Sequence, residues 1–240
     1  MTRKFWLNWI LVFSLLLGGL SAAEADMLAS TGNQYSGYGY GNNYWDNMTT
    51  ALNNACPNID TASNFENLTQ MLSYDALWLD ARQTTSLLSA TELSNLSTFI
   101  GTGRRVVLMG ENDNWTGWNN QILALGGGSY GSHYNGIASP VVDNELTNGV
   151  STVYLPTAGR AVGGTALFDQ NFATLWGDNV LTVLDINFFS DYYWTTEDNQ
   201  VFAQNVANWV CASTVPLPGT VWLLSVGIAG LAVIRRKLSS

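Results

Sequence analysis

Basic residues are scarce in the middle of this 240-residue sequence. Residues 26–214 contain no lysine and only four arginines, Arg82, Arg104, Arg105 and Arg160, against seventeen acidic residues. The segment therefore carries a net charge of −13. Such a surface repels the phosphate groups of nucleic acids and of anionic membranes. We expect no nucleic-acid partner.

The C-terminal region lacks a hydrophobic run long enough to remain in a membrane as a full span. The apolar run 221–234 would extend only about 21 Å as a helix at ~1.5 Å per residue, against a hydrocarbon core of about 30 Å. Arg235, Arg236 and Lys237 follow it, and such basic residues stay on the cytoplasmic side. We predict an apolar helix at 220–234 that inserts transiently into the inner membrane, with a basic tail at 235–237. A plain tail anchor is the alternative.

The N-terminus has the layout of a secretory signal peptide. Arg3 and Lys4 precede the apolar segment 5–20, and Ala23-Glu24-Ala25 offers a small-residue cleavage site. An uncleaved anchor helix is the alternative, because the apolar segment approaches spanning length. The small residues favour cleavage, so we predict that signal peptidase removes residues 1–25.

Between the two ends, about 190 residues are enough for one domain with a sizeable core, predicted at 26–213. The spacing of apolar residues predicts helices at 44–55, 65–72, 89–100, 115–125 and 196–210. Buried strands are predicted at 27–30, 58–61, 76–79, 106–109, 152–155 and 180–184, and the Gly-rich segment 126–140 as a loop. Alternating strands and helices indicate an α/β domain whose mostly parallel sheet has helices on both faces.

The clearest helix is the one at 89–100. Ser89 and Glu92 have the spacing of a capping box, in which each side chain accepts a hydrogen bond from the backbone of the other residue. Gly101 and Gly103 follow the helix and favour its end there. Local sequence signals therefore mark both the start and the end of this helix.

The sequence has only two cysteines, Cys56 and Cys211. In an exported protein two thiols more often pair than remain free. Cys56 follows the first predicted helix and Cys211 the last, and in such a fold these helices commonly lie on one face of the sheet and end at the same edge. We predict a disulfide between them, which the chain-entropy model credits with about 5 kcal/mol.

Three stretches of the domain resemble a known superfamily: YDALWLD, LSATELSNLSTFIGTGRRVVLMGEN and LTVLDINFFSDYYWTTEDNQVFAQNVANWV. They are similar to the class I glutamine amidotransferase-like superfamily, and the resemblance implies a flavodoxin-like three-layer fold. Catalytic members have a nucleophilic cysteine on the turn after a strand, activated by a histidine and an acid. The corresponding turn here, 109–113, has no cysteine. The resemblance therefore implies the fold without amidotransferase activity, and we predict no catalytic residue and no cofactor.

A match to the nucleophile elbow of α/β-hydrolases occurs at residues 127–131, in the order Gly-x-Ser-x-Gly around Ser129. That motif requires a strand before the serine and a helix after it. Here a helical pattern precedes Ser129, and the sequence's only histidine, His133, lies in the same predicted loop. We interpret the match as accidental.

Oxygen-bearing side chains follow two predicted strands, and the carboxyl ends of parallel strands are where α/β folds bind ligands. This candidate ligand edge comprises Glu111, Asp113, Asp185, Asn187 and Asp191. Such a set would suit Ca²⁺ better than zinc, although no EF-hand spacing is present. Capping of turns and helix starts explains the same residues, so no metal is assigned.

Aromatic residues are interleaved with glycine and asparagine in NQYSGYGYGNNYWDN and NDNWTGWNN. Flat rings beside amide groups can stack on sugar rings while the amides bind hydroxyl groups. The candidate glycan contacts are Tyr38, Trp115 and Trp118. Packing in the core or in loops is the alternative interpretation.

The tail has three ordered parts: a Pro-x-Pro-Gly segment, an apolar run and a basic cluster. It resembles the PEP-CTERM protein-sorting signal of Gram-negative bacteria, with Leu217 where that signal usually has glutamate. The resemblance covers 214–240 and implies cleavage by exosortase near Pro218-Gly219, in a setting where exopolysaccharide or biofilm matrix is made. The predicted sorting residues are Val215, Pro216, Leu217, Pro218, Gly219, Arg235, Arg236 and Lys237.

Together these features predict a non-catalytic exported protein that reaches the outer surface or the extracellular matrix and associates with polysaccharide. Its expected processing partners are signal peptidase and exosortase. The alternative is an extracellular hydrolase of glycans or esters that uses carboxylates at the carboxyl edge of the sheet. A cleft holding Glu111 and Asp185 with a raised carboxylate pKa would favour that enzyme.

Overall fold

The computed structural model describes residues 26–212. The predicted signal peptide at 1–25 and the predicted sorting segment at 214–240, with its apolar helix and basic tail, lie outside the described residues. The domain boundaries therefore stay predictions.

The described chain folds around a seven-stranded sheet with the strand order β2-β1-β3-β4-β9-β8-β7. The first five strands in this order are parallel, and β8 and β7 are antiparallel additions at one edge. Strands β5 and β6 form a separate antiparallel pair. The strands are β1 Asp26–Ser30, β2 Asn58–Ala62, β3 Ala76–Leu79, β4 Arg105–Met109, β5 Ser129–Ala138, β6 Val153–Val162, β7 Thr165–Ala166, β8 Ala173–Trp176 and β9 Val180–Val183.

Helices cover both faces of the sheet. Successive side chains of each strand point to opposite sides, so both faces carry apolar side chains that a helix layer buries. In β1, Met27 packs into the core beneath the first and last helices, and its neighbour Leu28 packs into the core on the other face. The helices are α1 Asp46–Ala55, α2 Leu68–Met71, α3 Ala90–Ile100, α4 Thr116–Ala124 and α5 Asn199–Cys211, with a 3-10 turn at Asp113–Trp115. The predicted three-layer α/β fold with a mostly parallel sheet is confirmed.

The capping box predicted at the start of α3 is present. The Ser89 hydroxyl accepts a hydrogen bond from the Glu92 backbone N–H, and the Glu92 carboxylate accepts one from the Ser89 backbone N–H. The same carboxylate also pairs with the buried guanidinium of Arg82. The cap therefore connects α3 to the loop that follows β3.

The predicted disulfide between Cys56 and Cys211 is confirmed. Helix α1 ends just before Cys56, and Cys211 is the last residue of α5, with the two Cα atoms 5.2 Å apart. Met48 and Leu52 of α1 share a core with Phe202 and Val206 of α5. The two helices thus lie on one face of the sheet and end near the edge where the parallel strands begin.

The prediction of a loop at 126–140 is wrong. Most of this segment is β5, which pairs with β6 from Ser129 opposite Val162 to Ala138 opposite Val153. Strand β6 is also longer than the predicted strand at 152–155. The glycine, serine and tyrosine residues of β5 carry little hydrophobic signal, since most of this strand is exposed or half-buried.

Candidate ligand-binding site

The turns after β4 and β9 meet at the carboxyl edge of the sheet, because these two strands are adjacent and parallel, with Met109 opposite Val183. This arrangement brings Glu111, Asp185 and Asn187 together, as the strand pattern predicts. Gly110 makes the close approach possible, since a Cβ there would lie 2.4 Å from Leu184 Cδ2 and 2.6 Å from Asn119 Oδ1.

Glu111 is a buried carboxyl group at this edge, with 2 % of the residue exposed. Its Oε1 accepts hydrogen bonds from the Asn112 side chain at 3.0 Å and from Asn187 Nδ2 at 3.1 Å. Its Oε2 accepts the Ile186 backbone N–H at 3.3 Å. The buried Asn119 of α4 holds the backbone of the turn through hydrogen bonds to the Glu111 N–H and carbonyl. The carboxyl group is therefore fixed in place from both strands' turns.

Asp185 is fully buried beside Glu111. Its Oδ2 accepts the Thr157 backbone N–H at 3.3 Å, and its Oδ1 accepts the Phe188 backbone N–H at 3.1 Å. The first bond ties the turn after β9 to β6, and the second closes the turn itself. Asp185 thus has a structural role in shaping the turn, and only Glu111 of the two acids borders open space.

Burial raises the pKa of both acids. The pKa of Glu111 lies well above its ordinary value because burial disfavours the charged form and the charge of Asp185 adds repulsion. Burial raises the pKa of Asp185 to about 7, although backbone N–H groups of Thr157 and Phe188 oppose the shift. The two groups interact, so their titrations are coupled, and both carboxyl groups hold their protons to a higher pH than they would in water.

A cleft of about 440 Å³ opens above Glu111. Tyr35, Tyr38, Tyr44 and Trp115 form its aromatic wall, and Glu111 lines it together with polar residues that include Asn112, Asn114, Thr157 and Asn187. The cleft contains hydrogen-bonding groups and flat apolar surfaces but no lysine or arginine. It can bind an uncharged polar molecule that also has apolar faces.

Asp80 positions the tyrosine-rich loop that forms this wall. The fully buried carboxylate follows β3 and accepts hydrogen bonds from Gln34 Nε2, the Tyr40 backbone N–H and Trp78 Nε1. Gly39 lies against it with φ +112°, where a Cβ would lie 2.9 Å from the carboxylate. Burial raises the pKa of Asp80 to about 6. Sequence reasoning missed this residue, although it follows a buried strand at the same edge as Glu111.

Two residues of the candidate ligand edge lie apart from the cleft, which corrects the prediction that all five converge. Asp113 is exposed at the start of the 3-10 turn. The Asp191 carboxylate accepts the backbone N–H groups of Asp46 and Asn47 at the start of α1, so it caps that helix. Within residues 26–212 no group of three or more acidic, histidine or cysteine side chains could hold a metal ion.

The structure brings two of the three candidate glycan contacts to the cleft. Tyr38 is half-buried, and Trp115 borders the cleft while donating its indole N–H to the Arg82 carbonyl. Trp118 is fully buried and donates its indole N–H to the Met109 carbonyl at 2.8 Å. The prediction that Trp118 contacts a glycan is therefore wrong, because Trp118 lies on the inner face of α4 and is a core residue.

The Gly-x-Ser-x-Gly match has the wrong structural context for a nucleophile elbow. Ser129 opens β5 after α4 rather than standing between a strand and a helix. The turn after β4 also lacks the strained backbone of such an elbow, since among the described non-glycine residues only Asn33, Asn171 and Glu197 have positive φ. Neither segment offers an activated nucleophile of that kind.

Glu111→Gln is expected to raise the free energy of unfolding by on the order of 1–2 kcal/mol near pH 8, with little change near pH 5. Both acids have a raised pKa in the folded state, so the folded protein binds protons more tightly than the unfolded chain. The stability of the wild type should therefore fall as the pH rises from about 4 to about 7. The amide removes one of the two charges. Urea denaturation of both proteins from about pH 5 to about pH 8 measures the effect.

Asp113→Asn is the matched control, because it removes an exposed acid two residues away. It should leave the pH dependence of the wild type unchanged. An equally steep pH dependence in Glu111→Gln and in the wild type would contradict the assignment of Glu111 and Asp185 as an interacting pair.

The tail beyond the described domain matches a known sorting motif. Residues 214–237 carry the PEP-CTERM protein-sorting motif. The PEP-CTERM motif supports export with a C-terminal sorting signal held at the membrane, and it implies processing by exosortase. All eight predicted sorting residues lie within the matched segment. Within residues 26–212, none of the helices combines the length and apolar character needed to cross a membrane.

Solved structures resemble the described domain in fold alone. The mmIFT52 N-terminal domain is 13% identical with a TM-score of 0.60, covering 80% of this chain and 99% of its own. A GMP synthase-like protein from Thermoplasma acidophilum is 11% identical with a TM-score of 0.53, and the match covers 79% of this chain and 95% of that protein. A ThuA-like protein from Bacteroides uniformis is 10% identical with a TM-score of 0.52, and the match covers 77% of this chain and 90% of that protein. No curated protein matches the sequence.

Proposed function

We propose that this PEP-CTERM protein is delivered by exosortase to the outer surface or extracellular matrix of a Gram-negative bacterium, where its α/β domain binds polysaccharide without catalysis. The sorting motif at 214–237 is the observation that carries the delivery route. The aromatic-walled cleft above Glu111 is the observation that supports a ligand-binding role for the domain.

The delivery route predicts a shortened mature protein. Mass spectrometry of the protein from its host should give a chain that starts near Asp26 and ends near Pro218. In a strain without exosortase, the C-terminal segment 219–240 should remain attached. Persistence of this segment in both strains would defeat the proposed route.

The chemistry of the cleft supports a sugar as the ligand. Tyrosine rings present flat apolar faces to the C–H groups of a sugar, and neighbouring amides can bind its hydroxyl groups. The acidic domain and the absence of lysine and arginine from the cleft disfavour an anionic ligand. Polysaccharide of the matrix is a ligand with these properties at the place to which the protein is sent.

Tyr38→Ala is expected to weaken binding of matrix polysaccharide about tenfold, because it removes a ring of the cleft wall. Affinity electrophoresis in gels that contain polysaccharide purified from the host measures this change. Tyr74→Ala is the matched control, since Tyr74 lies before β3 at the opposite edge of the sheet. Equal migration of the wild type with and without polysaccharide would defeat the binding role.

A hydrolase is the second candidate function, and the buried pair Glu111 and Asp185 is the observation that favours it. A carboxyl group with a raised pKa at a cleft can act as a general acid. Hydrolysis of nitrophenyl glycosides or esters by the wild type, lost in Glu111→Gln, would support this candidate. Equal background rates in both proteins are the result expected for a non-catalytic domain.

A further inference from the structure

We infer that the cleft is one end of an aromatic track, Trp115, Tyr35, Tyr38, Tyr44 and Tyr192, that binds an extended neutral polysaccharide chain rather than a single sugar. The inference rests on the proposed binding role of the cleft and specifies the form of its ligand.

The five rings make a continuous series. Consecutive ring centroids lie 5.0 Å apart from Trp115 to Tyr35, 5.7 Å to Tyr38, 5.1 Å to Tyr44 and 5.6 Å to Tyr192. The rings come from three separate segments of the chain: the 3-10 turn, the loop before α1 and the loop before α5. A series assembled across such distances in sequence is a feature of the fold rather than of one local motif.

Exposure increases along the track. Trp115 is 7% exposed, the three central tyrosines are half-buried, and Tyr192 is 70% exposed. The adjacent Trp45 differs in that it is fully buried and packs on Trp78 and Phe189. Core packing therefore explains Trp45 but does not explain an exposed ring at the end of the track.

The residue before Tyr192 in the chain ties this segment to the backbone of Tyr44. The Asp191 N–H donates to the Tyr44 carbonyl at 2.8 Å, while the Asp191 carboxylate caps α1. The backbone that carries the outer ring is thus fixed before any ligand arrives, which lowers the entropy cost of binding. This contact also gives Asp191 a second role, that of aligning the track.

The track extends past the cleft, and this indicates the size of the ligand. Trp115, Tyr35, Tyr38 and Tyr44 line the cleft, whereas Tyr192 lies beyond it. A single sugar in the cleft would leave the Tyr192 ring unused. A chain of several sugars can occupy the cleft with one end and stack on Tyr192 with a later unit.

The experiment compares fragments of increasing length from host matrix polysaccharide, separated by anion exchange into neutral and acidic fractions. For the wild type, affinity for neutral fragments should rise with length. Tyr192→Ala should lose about tenfold in affinity for the long fragments while binding the shortest ones as the wild type does. Circular dichroism of this exposed-site variant verifies its folding, and Tyr74→Ala serves again as the control.

The outcomes separate this inference from the proposed function. Binding that is independent of length, or unchanged in Tyr192→Ala, would overturn the extended track and leave the cleft as a sugar site. Preference for the acidic fraction would overturn the neutral ligand. Failure of the wild type to bind any fragment would overturn the binding role itself and the track with it.

Discussion

Arg82→Ala is expected to lower the free energy of unfolding by about 3–5 kcal/mol, because it leaves the Glu92 carboxylate buried without its counter-charge. Nη1 of the guanidinium donates a hydrogen bond to Glu92 Oε2 at 3.1 Å, and Nη2 donates one to Glu92 Oε1. The side chains of Arg82 and Glu92 are each 4% exposed. Glu92 also accepts the backbone N–H groups of Phe65 and Ser89. Loss of the guanidinium therefore disturbs the start of α3 as well as the ion pair. Denaturation in urea at pH 7 measures the loss.

Glu145→Ala is the matched control, because its partner Arg105 forms the other described salt bridge with a carboxylate that is 59% exposed. Removing this exposed carboxylate should cost less than about 1 kcal/mol. The double variant Arg82→Met with Glu92→Leu should be less destabilised than Arg82→Ala, since it leaves no buried charge. Equal losses in Arg82→Ala and Glu145→Ala would contradict a buried role for the pair.

The Arg82 pair also predicts a dependence on pH. Burial opposes the charged form of Glu92, but hydrogen bonds from Arg82, Ser89 and Phe65 prevail and lower its pKa. A lowered pKa contributes stability above the unfolded value, and this contribution is lost as the pH falls through the folded value. The wild type should therefore lose stability more steeply than the Arg82→Met/Glu92→Leu variant below about pH 4.

Replacing both cysteines, Cys56→Ala with Cys211→Ala, is expected to lower the free energy of unfolding by about 2–5 kcal/mol. The bond joins residues 155 positions apart, so its loss frees most of the domain's unfolded chain. It also releases the end of α5 from the end of α1. Urea denaturation of the double variant and of the wild type measures the difference.

Wild-type protein unfolded in the presence of a reductant is the control for this comparison. It should match the double variant, because both lack the covalent link. A double variant as stable as the oxidised wild type would show that packing between α1 and α5 supplies the stability credited to the disulfide.

The elements that were predicted closely are those with strong local signals. Ser89 and Glu92 define the start of α3 through contacts three residues apart, and β4 is a continuous buried run. Strand β5 has no such signal, since its strand character comes from pairing with β6. Strand β8 was missed for a related reason, because it lies beside β9 as an antiparallel partner in a pattern of mainly parallel strands.

The candidate site was predictable where strand order alone brings residues together. Glu111 and Asp185 follow adjacent parallel strands, so their proximity requires only the topology. The positions of the other polar residues depend on the direction that each turn takes, and contacts with residues distant in the sequence set that direction. Asp191 turns toward α1 and Asp113 toward solvent, whereas Asp80 joins the cleft loop through Gln34 and Tyr40.

The position of Cys211 has a consequence for the protein's orientation. Helix α5 ends at the edge where the parallel strands begin, and the PEP-CTERM motif starts three residues later, at 214. At about 3.5 Å per extended residue, the predicted cleavage site near Pro218 lies within about 25 Å of Cys211. A cut at a membrane-embedded enzyme would thus bring that edge to the bilayer and direct the opposite edge, with Tyr192 and the cleft, outward. Under the proposed function, the cleft would therefore face the matrix while the domain is still attached to the membrane.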